Sequence, residues 1–310
     1  MRSLPMASTP PAHEVYQHGH HASVVSNHAK RTAEKDAAFF LVALRAGLRL
    51  LDVGCGPGSI TSGLAKRVAP GEVIGIDPSP SVIDTARSLH DPAIANLNFE
   101  VGSIYQPRFA AGSFDAVFAH QVLQHLARPV EALAHMRRLL KPGGVLGVRD
   151  VDWGSATFYP ESAGMRRFLG MYYELARRNG GEPNAGRYLR RWCREAGFAE
   201  TKVMTSATTY ADPTATREWA HTYAERTLHS NLADKALEYG IATRADLESM
   251  AAGWRAWGED RDAFFCFSHT EVLAWNPGPG TRGLDPGAWN PGLEPALMRG
   301  GEAAKVPRSA

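Results

Sequence analysis

Residues 50–58 read Leu50-Leu51-Asp52-Val53-Gly54-Cys55-Gly56-Pro57-Gly58, and the next apolar run, Glu72-Val73-Ile74-Gly75-Ile76-Asp77, closes on an acid. An apolar run that breaks into glycines and then opens a helix is a nucleotide-binding corner. Glycine permits positive φ and lets the backbone approach a ligand closely. The helix expected from Ser59 turns unpaired N–H groups toward whatever lies there. Asp77, 19 residues after Gly58, is placed to accept hydrogen bonds from a ribose diol. The competing reading is an ordinary strand-to-helix turn that happens to be rich in glycine.

The kind of nucleotide follows from the details. A dinucleotide fingerprint spaces its small residues Gly-x-Gly-x-x-Gly or Ala. Here Gly54, Gly56 and Gly58 alternate, and Ser59 takes the place of the third small residue. Asp52 stands two residues before the first glycine. A carboxylate there repels a pyrophosphate and suits a cationic ligand, such as a sulfonium or an α-ammonium group.

Outward from the corner, strand-like and helix-like segments alternate. Strands are expected at Arg49–Val53, Glu72–Asp77, Leu97–Gly102, Phe114–His120 and Gly144–Asp150, and helices at Ser59–Val68, Pro80–Leu89 and Val130–Leu140. Strands joined through helices predict a parallel sheet with right-handed crossovers. Lys141-Pro142-Gly143-Gly144 reads as the turn into the fifth strand. Beyond Asp150 the rhythm changes. Glu161–Asn179, Arg187–Ala196, Thr214–Ser230 and Thr243–Trp257 read as helices, and Thr201–Tyr210 and Phe264–Trp275 as strands. The expected fold is α/β: a doubly wound, mostly parallel seven-stranded sheet, Rossmann-like, with a helical cap. Residues 1–12 are expected to be disordered. The folded domain is expected over 13–275, with an N-terminal helical lid at 13–47 and cap elements at about 154–196 and 213–260. Residues 276–310 form a Pro/Gly-rich tail in which Ala-Trp-Asn-Pro-Gly occurs twice.

Bulk properties exclude several classes. The chain has 310 residues, 44% hydrophobic and 21% charged, which is globular composition. A net charge of +2 provides no basic field for nucleic acid. No apolar stretch reaches the roughly 18–20 residues of a membrane span, and no signal-peptide core is present. Cys55, Cys193 and Cys266 have no metal-type spacing and fit a reducing, cytoplasmic compartment.

Taken together, these motifs resemble the class I S-adenosylmethionine-dependent methyltransferases, of the ubiquinone/menaquinone-biosynthesis type, over about residues 15–150. Leu51–Gly58 matches that family's glycine motif, and Gly75-Ile76-Asp77-Pro78-Ser79 its acidic strand end. Gly102-Ser103-Ile104 corresponds to the segment flanking the adenine, with Ser103 where the family often has an acid. The segments Ser113–Phe118 and His120–Leu126 match the fourth strand and its exit, and Leu140–Gly144 the signature before the fifth strand. The resemblance implies S-adenosylmethionine as cofactor, held by Asp52, the glycine turn with Cys55 and Ser59, Asp77 with Pro78, Gly102–Ile104, and His120, Gln121 and His125. It also implies that an N-terminal helix covers the cofactor, with Tyr16 reaching the methionine moiety and His20 near the acceptor.

Methyl transfer is an in-line displacement, so the protein mainly aligns acceptor, methyl and sulfur. A base is needed only where the acceptor must lose a proton. The candidates are His20, His120 and Asp152. His120 reads either as a base or as a wall of the cofactor pocket. Asp152 reads either as an orienting group or as a helix cap. Five histidines fall within residues 13–28 without a convincing ligand set, so no metal is expected. The expected partner is a small-molecule methyl acceptor, accepting at O, N or C, and a homodimer is compatible with the sequence. Two alternatives stand beside this reading. One is an enzyme of the same fold catalysing a non-methylation reaction, a cyclase or decarboxylase. The other is a non-catalytic partner subunit.

Overall fold

The computed structural model describes residues 31–277. The segment 1–30, with Tyr16, His20 and most of the expected lid, lies outside the described residues, as does the tail from 278 onward.

Seven strands form one sheet in the order β3-β2-β1-β4-β5-β7-β6. They are β1 Leu50–Val53, β2 Val73–Asp77, β3 Leu97–Val101, β4 Phe114–His120, β5 Leu140–Tyr159, β6 Glu200–Tyr210 and β7 Phe264–Trp275. The first five run parallel, and β7 lies antiparallel to both β5 and β6. The doubly wound α/β sheet expected from the alternation is therefore present, with one reversed strand. The order reverses between β1 and β4, whose C-terminal ends part to leave a crevice at that switch point. Every residue of β1 is buried, Asp52 included, as befits a central strand covered on both faces. The edge strand β6 instead alternates partly buried and exposed positions along much of its length.

Three elements differ from the expected ones. First, β5 extends to Tyr159, nine residues past the expected end, because β7 pairs along it from Trp275 to Phe264. The pairing is broken between Asp152 and Thr157, where five steps on β5 face two on β7. The expected turn at 141–144 survives inside the strand as a kink: Gly143 has φ 76° and donates its N–H to the Asn276 carbonyl. Second, a helix at Asn231–Glu238 follows Ser230 directly. The Ser230 hydroxyl accepts from the Leu232 N–H, so one side chain restarts the helix after the Pro213–His229 helix ends. Third, the chain before β1 is not one continuous helix. Two single turns, Ala33–Asp36 and Ala38–Leu41, meet at Ala37.

The helices Ala163–Arg178, Pro213–His229 and Arg244–Gly258 share an aromatic core with the far ends of β5 and β7. Phe168, Tyr172, Trp254 and Phe265 are at most 2% exposed there. This block rises over the carboxyl ends of the parallel strands and roofs the crevice. Among the described residues, no helix is long and apolar enough to cross a membrane.

Candidate active site

A single cavity of about 940 Å³ runs from the glycine corner to the underside of the cap. It is at the upper end of the roughly 300–1,000 Å³ of small-molecule sites, room for two ligands side by side.

The floor of one end is backbone. Gly54, Gly56 and Gly58 have φ of 70°, 54° and 81°, values that L side chains avoid. A Cβ on Gly54 would sit 2.5 Å from Val122 Cγ2, and one on Gly58 2.4 Å from the Phe99 ring. A Cβ on Gly56 would meet nothing within 4 Å, because that position opens on the cavity. Gly54 and Cys55 both donate to the Ile76 carbonyl, which ties the turn to β2. The Ser59–Val68 helix starts at Gly58 without a side-chain cap and without an acid in its first turn, and Ser59 and Ile60 at its start line the cavity.

Two carboxylates flank this floor. Asp52 is buried and accepts from the Thr61 hydroxyl at 2.7 Å. Burial pushes its pKa up to about 7; the Thr61 bond works against that, and nearby Asp77 adds to the rise. Asp77 accepts from the Ser79 N–H at 3.0 Å, which fixes its carboxylate at the cavity wall. Pro78, Gly102, Ser103 and Ile104 continue the wall. Gly102 donates to the Asp77 carbonyl, and the Ser103 hydroxyl accepts from the Tyr105 N–H.

The exit of β4 forms the middle of the cavity. His120 is buried, and its Nε2 lies 2.7 Å from Arg149 Nη1. A guanidinium only donates, so Nε2 carries the lone pair and is occupied. Arg149 is also held by Glu271 (3.1 Å) and Asp36 (3.6 Å). Gln121 has φ 55°, rare for a side chain other than glycine. Its N–H donates to the Arg149 carbonyl, its Oε1 accepts from Arg31, and its Nε2 faces His269 Nε2 at 2.8 Å. These contacts hold the strained backbone at the centre of the cavity. Burial and nearby Arg149 and Arg31 lower the His269 pKa to about 2, and burial with Arg31 lowers that of His125 to about 3. Both rings are neutral and poor bases. Asp150, beneath the wall, accepts from the Leu123 N–H, while its Oδ1 has no hydrogen-bond partner. Burial raises its pKa to about 8.

The structure corrects one candidate. Asp152 does not line the cavity. Arg187 grips both of its oxygens at 2.6 and 2.7 Å, and the Gly154 N–H adds a third bond, so the carboxylate anchors the wide bulge in β5. Gly58 likewise faces Phe99 and shapes the turn from behind. Trp153 lines the cavity and stacks on Phe267 at 5.2 Å. Residues that the sequence did not single out also reach the cavity: Arg31, Tyr210, Arg226 and His269. They come from four elements far apart in the chain and share no local pattern. The one available signal was the 215, 218, 222, 226 spacing on the Pro213–His229 helix, which puts one face toward the cavity. Among the described residues, no group of three His, Cys, Asp or Glu side chains is arranged to hold a metal.

Comparison with known proteins fits this geometry. A methyltransferase-domain profile matches residues 51–148, the span from β1 into β5. An uncharacterized methyltransferase of Schizosaccharomyces pombe is 36% identical over 273 residues, covering 83% of this chain and 95% of that protein. A probable methyltransferase of Aspergillus luteorubrus is 33% identical over 289 residues, covering 87% of this chain and all of the other. Ubiquinone biosynthesis O-methyltransferase of Cereibacter sphaeroides matches only 100 residues, 32% of this chain, at 36% identity. Among solved structures, the YcgJ protein of Bacillus subtilis shares the fold over 79% of this chain and all of its own, with a TM-score of 0.52 at 15% identity. The full-length relatives, the sheet order and the intact glycine corner agree: the chain belongs to the class I S-adenosylmethionine-dependent methyltransferases.

Proposed function

We propose that this enzyme transfers the methyl group of S-adenosylmethionine to an O, N or C atom of a small-molecule metabolite. The observation that carries this is the continuity of one cavity from the glycine corner to an aromatic wall under the cap. The chain's own groups suit the cofactor at the corner. The open position over Gly56 accepts a ligand where a side chain would block it. Asp52, whose pKa is raised in a buried site, gains a counterion from an α-ammonium or sulfonium group and ionises as that cation arrives. Asp77 takes the ribose diol, the Ser59 helix start and the Gly54–Gly56 backbone line the amino-acid part, and Gly102–Ile104 flank the adenine. Bound there, S-adenosylmethionine supplies an electrophilic methyl group.

The protein's part in the reaction is alignment. His120 and Gln121 sit between the two ends of the cavity and are held rigidly by Arg149, Arg31 and His269. With its Nε2 lone pair on Arg149, His120 serves as wall rather than as base. His125 and His269, with pKa values of about 3 and 2, do not take up protons near neutrality. An acceptor that ionises readily, or one without a proton to lose, matches such a site. Excluding water under the cap favours the displacement over side reactions. The decisive experiment incubates the full-length enzyme with methyl-labelled S-adenosylmethionine and fractionated small metabolites. Label moving into a low-molecular-weight product is expected. Cofactor binding without label transfer to any metabolite would instead favour a non-methylating enzyme of this fold.

A further inference from the structure

The cap end of the cavity contains a cation with no anion to match it. Arg226 is 6% exposed, lines the cavity, and its Nε has no hydrogen-bond partner. No carboxylate among the described residues lies within ion-pair distance of it. Of the carboxylates around this end, Asp36 and Glu271 both pair with Arg149, and Glu218 lines the cavity more than two helical turns before Arg226, outside ion-pair distance of it. Its neighbour is Tyr223, whose ring lies 5.2 Å from the guanidinium carbon and whose hydroxyl is within hydrogen-bonding reach of the Arg226 side chain. A buried charge without a partner is expensive to keep, and removing its desolvation penalty needs a counterion. Arg226 lies in the last turn of the Pro213–His229 helix, where the helix dipole favours a cation, and on the face that looks into the cavity.

A second unsatisfied donor stands on the same face. Trp219 Nε1 is buried without a partner, and Trp219 lines the cavity two turns before Arg226, about 10 Å away along the helix axis. Between and beside these two donors the surface is aromatic. Tyr210 stacks on Trp219 at 4.1 Å, and Phe267 stacks on Trp219 at 5.8 Å. An acceptor that fills this end meets a guanidinium, a flat apolar wall and an indole N–H.

We infer that the methyl acceptor is a monoanion: a ring-bearing apolar molecule whose carboxylate docks on Arg226, with an oxygen at Trp219. A buried cation without a counterion calls for an anionic group on the ligand, and a planar guanidinium matches a carboxylate in two-point geometry. This rests on the methyl-acceptor reading of the cavity given above.

Calorimetry on the full-length protein tests it with probes of known charge: naphthoate, cinnamate and benzoate, against naphthylmethanol as the uncharged counterpart. At least one carboxylate is expected to bind the wild type, and to bind it more tightly than the alcohol does. Arg226→Gln should weaken carboxylate binding about tenfold or more, as loss of a hydrogen bond to a charged group does. Arg226→Lys, which keeps the charge without the fork, should lose less. The alcohol should bind all three proteins alike. Because an unpaired buried charge is removed, Arg226→Gln should melt no lower than the wild type when empty. Failure of every carboxylate to bind up to millimolar concentration overturns the inference. So does an equal loss of alcohol and carboxylate affinity in Arg226→Gln, which would mark a structural role. Each titration is run with and without S-adenosylhomocysteine. If that ligand fails to bind the wild type, the cofactor reading falls, and the carboxylate arm still decides the anion site by itself.

Discussion

The two ends of the cavity are built by opposite means. At the glycine corner the contact surface is mostly main chain: Gly54 and Gly56 at positive φ and a helix start without a side-chain cap, flanked by the carboxylates of Asp52 and Asp77. Under the cap it is side chain, contributed by β5, β6, β7, the Pro213–His229 helix and the segment at Arg31. A backbone-made site tolerates few residue types, because a Cβ in the wrong place closes it. A side-chain-made site can be repacked while the scaffold stays. A fixed cofactor end and an adjustable acceptor end follow from that difference.

The comparison is tested most severely by filling the corner. Gly56→Val places a β-branched side chain at φ 54° in a turn position where a Cβ would point into the open cavity. It is expected to abolish S-adenosylhomocysteine binding in calorimetry while far-ultraviolet circular dichroism stays native. Retained affinity would mean that the cofactor lies elsewhere. The converse change is in the cap. Trp254 is fully buried there, and Trp254→Ala should lower unfolding free energy by about 3–5 kcal/mol in denaturant titration. Below the transition, the variant should still bind S-adenosylhomocysteine near wild-type strength. Equal damage to both properties would show that the two ends are not separable.

A smaller effect is expected from Asp77→Ala, which removes ribose hydrogen bonds to a charged group, each worth roughly 1.5–3 kcal/mol. Unchanged affinity in that variant would refute the ribose assignment. The mildest effect concerns pH. The folded-state pKa of Asp150 is raised from the usual 3.8 to about 8. Its contribution to stability is therefore complete below about pH 4 and lost as pH rises toward 8. His125 and His269 act in the other direction: their depressed values favour the fold above the ordinary histidine range and less as pH falls through it. Asp150→Asn keeps an acceptor for the Leu123 N–H and removes the ionisation. Its melting temperature should fall less than that of the wild type between mildly acidic and mildly basic buffer. Parallel curves for the two proteins would show that Asp150 does not carry the dependence.

How far the sequence reaches can be followed residue by residue. Helix starts with a chemical mark were legible: the helix expected from Thr243 begins there, where Thr243 and Asp246 form a capping box. The helix at Asn231–Glu238 was not, because one serine separates it from its predecessor and its apolar residues continue a similar pattern. The length of β5 was hidden as well, since residues past Asp150 become strand only by pairing with β7, more than a hundred residues later. Asp152 shows the same limit at the level of a single side chain. Its position after a central strand suggested chemistry, and only the fold brings Arg187 onto it.

What the sequence determined by itself is whatever local stereochemistry dictates. That includes the glycine turn, Asp52 and Asp77 at its sides, the alternation that makes the sheet doubly wound, and through these the cofactor family. Positive φ, helix initiation and strand periodicity each depend on a few neighbouring residues, so they leave a readable trace in the chain. The tertiary structure alone decided which charges meet. It set His120 on Arg149, Arg31 and His269 on Gln121, and left Arg226 under the cap with its Nε unbonded and no carboxylate beside it. Those encounters join residues 29 to 148 positions apart, or leave one cation without a counterion. Coulomb and hydrogen-bond energies depend on distance in space, and separation along the chain does not encode it.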